Sequence, residues 1–264
     1  MEEYLVVIDK KLLECLANID YESTGARVID LNSDTDRNAF NLPKRVDESL
    51  RREEYDCLVK KEDHIDYSGC EIVNYRNKVG DARALLFPDK VDRSFKQRVQ
   101  KNTDRKSKGQ KKEVHHSGAE PPGFNQEDNK QFEALNGHYF YERCHLIPYR
   151  FVNKKAIYGQ LFTGTRFLND NRNFKEDKHP CMQIYEDCVA DWLLESDVKF
   201  IYYQAIPVYQ DFDIVPRGVR LIAKCYNDNN EEIVQNNRQF DIYLLNVTPG
   251  YCIDYATGKW KEHT

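Results

Sequence analysis

The sequence lacks the short motifs of the commonest nucleotide-binding and zinc-hydrolase sites. Its 264 residues contain no GxxxxGK(S/T), no GxGxxG and no HExxH. This excludes the phosphate-loop, dinucleotide-binding and zinc-protease templates. No apolar run approaches the roughly 20 residues of a membrane span, and the mean hydropathy is −0.78. We therefore expect no membrane partner.

The cysteines do not follow a disulfide or zinc-knuckle pattern. None of the eight forms a CxxC pair and their spacing is irregular, so we expect mostly free thiols in a reducing compartment. One alternative stays open, although structural zinc usually has paired CxxC or CxxH knuckles. That alternative is a zinc site built from Cys144, His145, His179, Cys181 and Cys188.

The N-terminal region carries no recognisable chemistry. Residues 1–20 are acidic and amphipathic and lack the basic, apolar and small-residue parts of a secretory signal. We expect a protein that is cytoplasmic as synthesised, with export by a non-classical route as the alternative. Residues 1–68 are interpreted as an N-terminal extension that serves packing, inhibition or partner binding. Within it, apolar periodicity predicts a helix over residues 9–18, and composition predicts a polar loop over 32–43.

A strongly basic segment interrupts an otherwise acidic chain. The formal net charge is −5, yet residues 90–112 contain ten Lys or Arg against two Asp. Such a segment is either a solvated helix or loop, or an arm that binds phosphate groups. On the second interpretation, Lys101, Arg105 and Lys106 are candidate contacts to a nucleic-acid backbone.

The C-terminal half predicts an antiparallel sheet with helices beside it. Residues 182–194 have apolar side chains at helical spacing. Strands are predicted at 198–209, 219–226 and 240–247, separated by segments rich in turn residues. The predicted class is therefore α+β, with a central antiparallel sheet and flanking helices.

A histidine, an asparagine and a glutamate have the chemistry of a single-metal phosphodiesterase site. His145 lies near the end of a strand predicted over 139–148, Asn169 follows at a helix start, and Glu186 lies on the next helix. A neutral imidazole accepts a proton from water. Magnesium keeps most of its waters, so one amide oxygen can be its main protein ligand, while Arg143 can pair with phosphate oxygens. On spacing alone, a histidine merely hydrogen-bonded beside an apolar pair is the alternative.

Several short blocks, in order along the chain, resemble one enzyme family. YERCHLIPYRF (141–151) resembles the DRGHL block of the DNA/RNA non-specific endonucleases, in particular the bacterial branch that includes streptococcal DNA-entry nucleases. Further blocks are similar to segments of that family: EPPGF (120–124), TGTRFLN (163–169), MQIYEDCVADW (182–192), RGV (217–219), NVTPG (246–250) and IDYATG (253–258). The resemblance spans roughly residues 70–260, so residues 69–264 are interpreted as an endonuclease domain.

The resemblance implies a ββα-metal (His-Me finger) fold. It also implies a magnesium-dependent, sugar-non-specific endonuclease that hydrolyses DNA and RNA to 5′-phosphate ends. By the match of each block, His145 is the general base, Asn169 holds the one magnesium ion, and Glu186 orients the hydrated metal. Mn²⁺ is expected to substitute for Mg²⁺. Arg143 and Glu142 match the Arg and Asp of DRGH and support the site and the phosphate.

The chain departs from the family pattern at three positions. Glu142 stands where the family has Asp, Gln160 where a second Asn often precedes the metal ligand, and Cys144 where it has Gly. A cysteine beside the base needs room, which predicts an altered turn there. Gln160 and Arg166 are candidate substrate contacts. An insert rich in Asn follows Asn169, so the choice of Asn169 rests on the TGTRFLN block.

Two alternative functions stay open. One is a catalytically weakened module that binds nucleic acid without cutting it. The other is a delivered nuclease toxin controlled by an immunity protein or another inhibitor, because a nuclease made without an export signal would threaten its own cell.

Overall fold

The computed structural model of the protein describes residues 11–19, 21, 28–43, 78–88, 120–124, 129, 131–132, 138–152, 161–170 and 180–263. Several predicted features lie outside these residues: Lys101, Arg105 and Lys106 of the basic segment, Gln160, and His179 in the insert. The boundary proposed at residue 68 also lies outside them. Among the described residues, no helix combines the length and the apolarity needed to cross a membrane.

The described residues form a mixed set of helices and strands around one antiparallel sheet. After a helical segment at 11–17, the elements in chain order are β1 (Val28–Asp30), α1 (Asp34–Ala39), β2 (Ala82–Leu86), β3 (Gln131–Phe132), β4 (His138–Tyr139), β5 (Tyr141–His145), α2 (Tyr149–Val152), β6 (Leu161–Thr165), α3 (Arg166–Asn169), α4 (Met182–Trp192), β7 (Phe200–Val208), β8 (Gly218–Tyr226), a 3₁₀ turn (Gln235–Asn237), β9 (Gln239–Leu245), β10 (Tyr251–Asp254) and β11 (Lys259–Glu262). The central sheet has the strand order β1-β9-β8-β7-β2. All its neighbouring strands are antiparallel. The α+β class and the predicted meander are confirmed.

The central sheet is buried on both faces. Side chains are buried at nearly every position of β7 and β8. On one face, Ile201, Tyr203 and Ala205 of β7 pack with Met182 and Val189 of α4 in the largest apolar core. Burying one such large apolar side chain contributes about 1.5–3 kcal/mol. The sheet is therefore the rigid base against which α4 is held.

The described N-terminal residues pack on the opposite face of this sheet. Leu12 and Leu16 of the helical segment form a second core with Tyr243 and Leu245 of β9. β1 extends the sheet by pairing with β9. The predicted helix is thus confirmed over residues 11–17, and this part of the chain shares the sheet formed by the C-terminal strands.

The segment predicted as a polar loop contains a helix instead. α1 begins after Ser33, whose hydroxyl oxygen accepts a hydrogen bond from the Asp36 backbone N at 3.3 Å. Asp34 and Asp36 lie in the first turn, where carboxylates stabilise a helix N-terminus. Arg37 is buried and donates from Nη1 to the Leu31 carbonyl at 2.9 Å. The loop prediction was wrong because it weighed polarity alone, whereas the caps and a buried arginine stabilise a helix.

An aromatic cluster joins the C-terminal hairpin β10–β11 to the start of β5. Phe140 stacks on Trp260, with ring centroids 4.5 Å apart, and meets Tyr251 edge-on at 5.6 Å. Tyr141 packs edge-on against Phe140 at 4.8 Å and is also buried. These contacts anchor the end of β5 opposite His145.

Candidate active site

Within the described residues, the strand that carries the predicted base belongs to a two-stranded antiparallel sheet, called here the β5–β6 hairpin. β5 and β6 pair antiparallel from Tyr141↔Thr165 to His145↔Leu161. Side chains alternate along a strand, so Arg143 and His145 share one face of β5. The His145 side chain is half-buried. The strand predicted over 139–148 is confirmed for residues 141–145.

The side chain of Asn129 extends the pairing of β5 on its outer edge. Its Oδ1 accepts from the Tyr141 backbone N at 2.8 Å, and its Nδ2 donates to the Tyr141 carbonyl at 3.0 Å. Asn129 is buried, so these bonds satisfy backbone groups that water does not reach.

Cys144 lies beside the predicted base without interrupting β5. β5 continues in regular register through Cys144 to His145. The fully buried thiol occupies space left open by Gly164 on β6, because a Cβ added at Gly164 would overlap the Cys144 Sγ. Burial raises the pKa of this thiol well above its usual value, and the carboxylates of Glu142 and Glu186 raise it further. Cys144 is thus a protonated packing residue and not a nucleophile.

An ion pair connects β5 to the helix that follows the hairpin. Arg166, the first residue of α3, places Nη1 2.9 Å from Glu142 Oε1 and Nη2 3.8 Å from Asp170 Oδ2. The sequence predicts Arg166 as a substrate contact and Glu142 as a supporting residue. The structure brings the two together. The carboxylates of Glu142 and Asp170 both lie within ion-pair distance of the Arg166 guanidinium.

Asn169 ends α3 with its side chain half-buried. The helix is capped by Thr165, whose hydroxyl oxygen accepts from the Leu168 backbone N at 3.0 Å. Phe167 and Leu168 are buried, which fixes the direction of this short helix. The Asn169 amide makes no hydrogen bond to another described residue. The amide oxygen is therefore available as a ligand to a cation.

Glu186 lies in the second turn of α4, which contacts α3. Its side chain is only 10% exposed, and its Oε2 lies 3.6 Å from Arg150 Nη2. The neighbouring Asp187 accepts from Arg150 Nη1 at 2.6 Å. Sequence reasoning did not assign a role to Arg150, although it lies within the block that resembles DRGHL.

Arg143 packs over an aromatic ring from a distant segment. Its guanidinium carbon lies 5.6 Å from the Phe124 ring centroid. The segment 120–124 is held to β6 by a hydrogen bond of 2.7 Å from the Thr163 hydroxyl to the Pro122 carbonyl. The EPPGF block thus lies beside the face of β5 that carries Arg143.

Asn246 connects the hairpin to the central sheet, a role that sequence reasoning did not assign. It is fully buried, and its Oδ1 accepts from the Thr165 backbone N at 2.7 Å. Its Nδ2 donates to the Thr163 carbonyl at 3.1 Å and to the Pro216 carbonyl at 2.8 Å. In the sequence, Asn246 was marked only by the resemblance of the NVTPG block to the family. In the structure, its hydrogen bonds show that it links β6 to the segment before β8.

The described part of the chain contains no group of three or more His, Cys, Asp or Glu side chains arranged to hold a metal ion. Cys144, His145, Cys181 and Cys188, the described members of the alternative zinc set, therefore form no such group. Among the described cysteines, four have free thiols: Cys15, Cys144, Cys188 and Cys225. This confirms the prediction of free thiols for those four positions.

Comparison with known proteins finds similar folds among solved structures. No protein-family profile and no curated protein matches the chain. The Sda1 nuclease, in a structure with a bound zinc ion, is 19% identical and matches with a TM-score of 0.50 over 74% of this chain and 79% of its own. The chain has the ββα-metal fold of this nuclease. NucA from Streptococcus agalactiae, in a structure with magnesium bound, is 20% identical, with a TM-score of 0.49 over 72% of this chain and 76% of its own.

In this ββα-metal fold, the predicted residues lie on adjoining elements. Arg143 and His145 lie on β5, Asn169 ends α3 and Glu186 lies on α4. Asn169 and Glu186 thus lie on two separate helices. The Glu142–Arg166 pair links β5 to α3.

Proposed function

We propose that this protein is a magnesium-dependent endonuclease that hydrolyses phosphodiester bonds of DNA and RNA to 5′-phosphate ends. The observation that carries the proposal is the linked pair β5–α3, in which the strand ending in His145 is joined through Glu142 and Arg166 to the helix ending in Asn169. The ββα-metal fold supports it.

The donor chemistry fits a hydrated magnesium ion. The Asn169 amide oxygen has no hydrogen bond to another described residue, and the nearby Glu186 carboxylate adds oxygen atoms and no sulfur. Magnesium takes oxygen ligands, retains several waters and needs few protein donors, whereas structural zinc takes four Cys or His ligands. Asn169 would hold the ion directly and Glu186 through its waters, with Mn²⁺ able to replace Mg²⁺. The zinc ion in the Sda1 structure supports a divalent cation as the class of cofactor.

His145 supplies the base. Its neutral imidazole takes a proton from the water that attacks phosphorus. Arg143, on the same face of β5, pairs with a phosphate oxygen. When bound, the divalent ion offsets the negative charge that develops on the phosphate and on the leaving oxygen. Because water is the nucleophile, no 2′-hydroxyl is required, and both DNA and RNA are substrates.

The packing of Cys144 favours an active enzyme over a weakened binding module. Its thiol fits beside Gly164 without shifting the register of β5, so the departure from glycine leaves the strand of the base intact. Glu142, which replaces the family's Asp, still reaches Arg166. The toxin and its immunity partner have no structural observation in their favour.

A degradation assay on plasmid DNA and on RNA tests the proposal. It compares wild type, His145→Ala and a matched control, His263→Ala, which removes an exposed histidine after β11. Each is assayed with Mg²⁺, with Mn²⁺ and with EDTA. Wild type and the control should cut both substrates with either ion, whereas His145→Ala should bind DNA in a gel shift without cutting it. Wild type that is inert with both ions, or His145→Ala that cuts like wild type, would refute the proposal.

A further inference from the structure

A guanidinium lies directly behind the carboxylate proposed to orient the hydrated metal. Arg150 belongs to α2, which begins four residues after His145. Its Nη1 lies 2.6 Å from Asp187 Oδ1 and its Nη2 3.6 Å from Glu186 Oε2. One side chain thus spans two consecutive carboxylates of α4.

The Arg150 guanidinium is held in place on several sides. Asp187 Oδ1, which it contacts, also accepts from Gln183 Nε2 at 2.9 Å. The guanidinium carbon lies 5.1 Å from the Phe151 ring centroid, and Phe151 packs edge-on against the buried Tyr203. Burial raises the pKa of the Tyr203 hydroxyl well above its usual value. The Glu186 carboxylate raises this pKa further, whereas the Arg150 guanidinium lowers it. Arg150 and Glu186 therefore share one buried electrostatic environment.

The edge of the guanidinium that faces away from Asp187 makes no hydrogen bond within the described part of the chain. Nε and Nη2 of Arg150 are buried, and neither has a hydrogen-bond partner among the described residues. Buried donors without partners are costly. The carboxylate oxygen at 3.6 Å is about 0.6 Å beyond an ordinary N–H···O distance, so a small rotation of Glu186 would supply the missing bond.

We propose that Arg150 is a positioning residue that holds the Glu186 carboxylate in the orientation needed at the hydrated metal. It couples the helix that follows the strand of His145 to the helix that carries Glu186. The inference rests on the proposed nuclease function. A direct contact between Arg150 and substrate phosphate is less favoured, because the side chain is only 19% exposed and one edge already binds Asp187.

The test compares Arg150→Met, Arg150→Lys, Glu186→Gln and the double variant Arg150→Met/Glu186→Gln in the full chain. Arg238→Met is the matched control, since it breaks a similar pair with Asp197 beyond the C-terminal end of α4. Arg150→Met should lower kcat about 10- to 100-fold, the usual effect of losing a residue that orients a metal-site ligand. KM for DNA should change less than about twofold, because the substrate contact is untouched. Arg150→Lys should recover part of the lost rate.

Two further measurements separate positioning from folding and from phosphate binding. Mn²⁺ binding without nucleic acid, followed by electron paramagnetic resonance, should weaken in Arg150→Met and not in Arg238→Met. In the Glu186→Gln background, Arg150→Met should have no further effect on kcat, since residues that act as a unit are not additive. Thermal unfolding checks that each variant is folded.

The outcomes are distinct. Wild type without metal-dependent cutting would overturn the proposed function and this inference with it. If wild type cuts DNA and Arg150→Met lowers kcat as much in the Glu186→Gln background as it does alone, only the inference is overturned. If Arg150→Met raises KM and makes the salt dependence of DNA affinity shallower by about one counterion, Arg150 contacts a phosphate. That result would also overturn the inference.

Discussion

Substitution of Gly164 tests how the strand of the base accommodates its unusual cysteine. A Cβ at residue 164 would overlap the Cys144 Sγ and lie 3.0 Å from Phe162 Cε2 and 3.3 Å from the Cys144 Cβ. All three residues are buried, and overpacking a well-packed core costs about 1–3 kcal/mol. Replacing Gly by Ala also stabilises by about 0.4–1 kcal/mol through the unfolded chain. We therefore expect Gly164→Ala to lower the free energy of unfolding by about 1–2 kcal/mol.

The matched background is Cys144→Ala, which removes the sulfur. The added Cβ at residue 164 would then contact only Phe162 Cε2 and the Cβ of residue 144. In that background Gly164→Ala should be nearly neutral, which gives a coupling energy of about 1–2 kcal/mol, within the range for residues in contact. Urea unfolding of wild type, both single variants and the double variant measures the cycle. An equal cost of Gly164→Ala in both backgrounds would show that the two residues do not compete for space.

Three further predictions follow from the hydrogen bonds, the pKa shifts and the charge distribution. Asn246→Ala should lower the unfolding free energy by about 2–4 kcal/mol, because it leaves buried backbone groups unpaired; a loss under 1 kcal/mol in urea unfolding would contradict its role in linking the hairpin to the sheet. Burial raises the pKa of Cys225 to about 12, so above about pH 8.5 the unfolded thiol ionises while the folded one keeps its proton, and stability should fall as pH rises towards 12. Cys225→Ala should make the decline measured by urea unfolding at pH 8 and 9.5 shallower, and an unchanged decline would rule this cause out. If residues 90–112 bind the nucleic-acid backbone, Lys101→Ala/Arg105→Ala/Lys106→Ala should flatten the salt dependence of DNA affinity by up to about three counterions, whereas an unchanged slope would place the contacts elsewhere.

The long strands and α4 were predictable because their signals are local. β7, β8 and β9 are rich in β-branched, aromatic and other apolar residues and are bounded by turn residues. Such segments predict strands wherever the rest of the chain lies. α4 has helical periodicity, although it ends at Trp192, two residues before the predicted end. The same approach failed at α1, where the cap at Ser33 and the burial of Arg37 outweigh a composition typical of loops.

The site was predictable in its parts and not in its connections. The block containing Arg143 and His145 marks a strand end in the structure, and the TGTRFLN block contains Thr165, which caps the helix that ends in Asn169. Nothing in local spacing indicates that Arg166 pairs with Glu142. This ion pair becomes visible only when both elements are placed, and the contact of Arg166 with substrate stays a prediction.

The sequence by itself determined the strands, the main helix and the short blocks that point to a ββα-metal nuclease, because periodicity and block order act within a few residues. Only the tertiary structure decided which side chains support those blocks. Arg150 meets Asp187 across 37 residues, and Asn246 reaches Thr163 across 83. Cys144 is accommodated because Gly164 lies beside it on the paired strand. Such contacts depend on how separate elements pack together, and packing follows from the burial of the whole core instead of from the preference of any one segment.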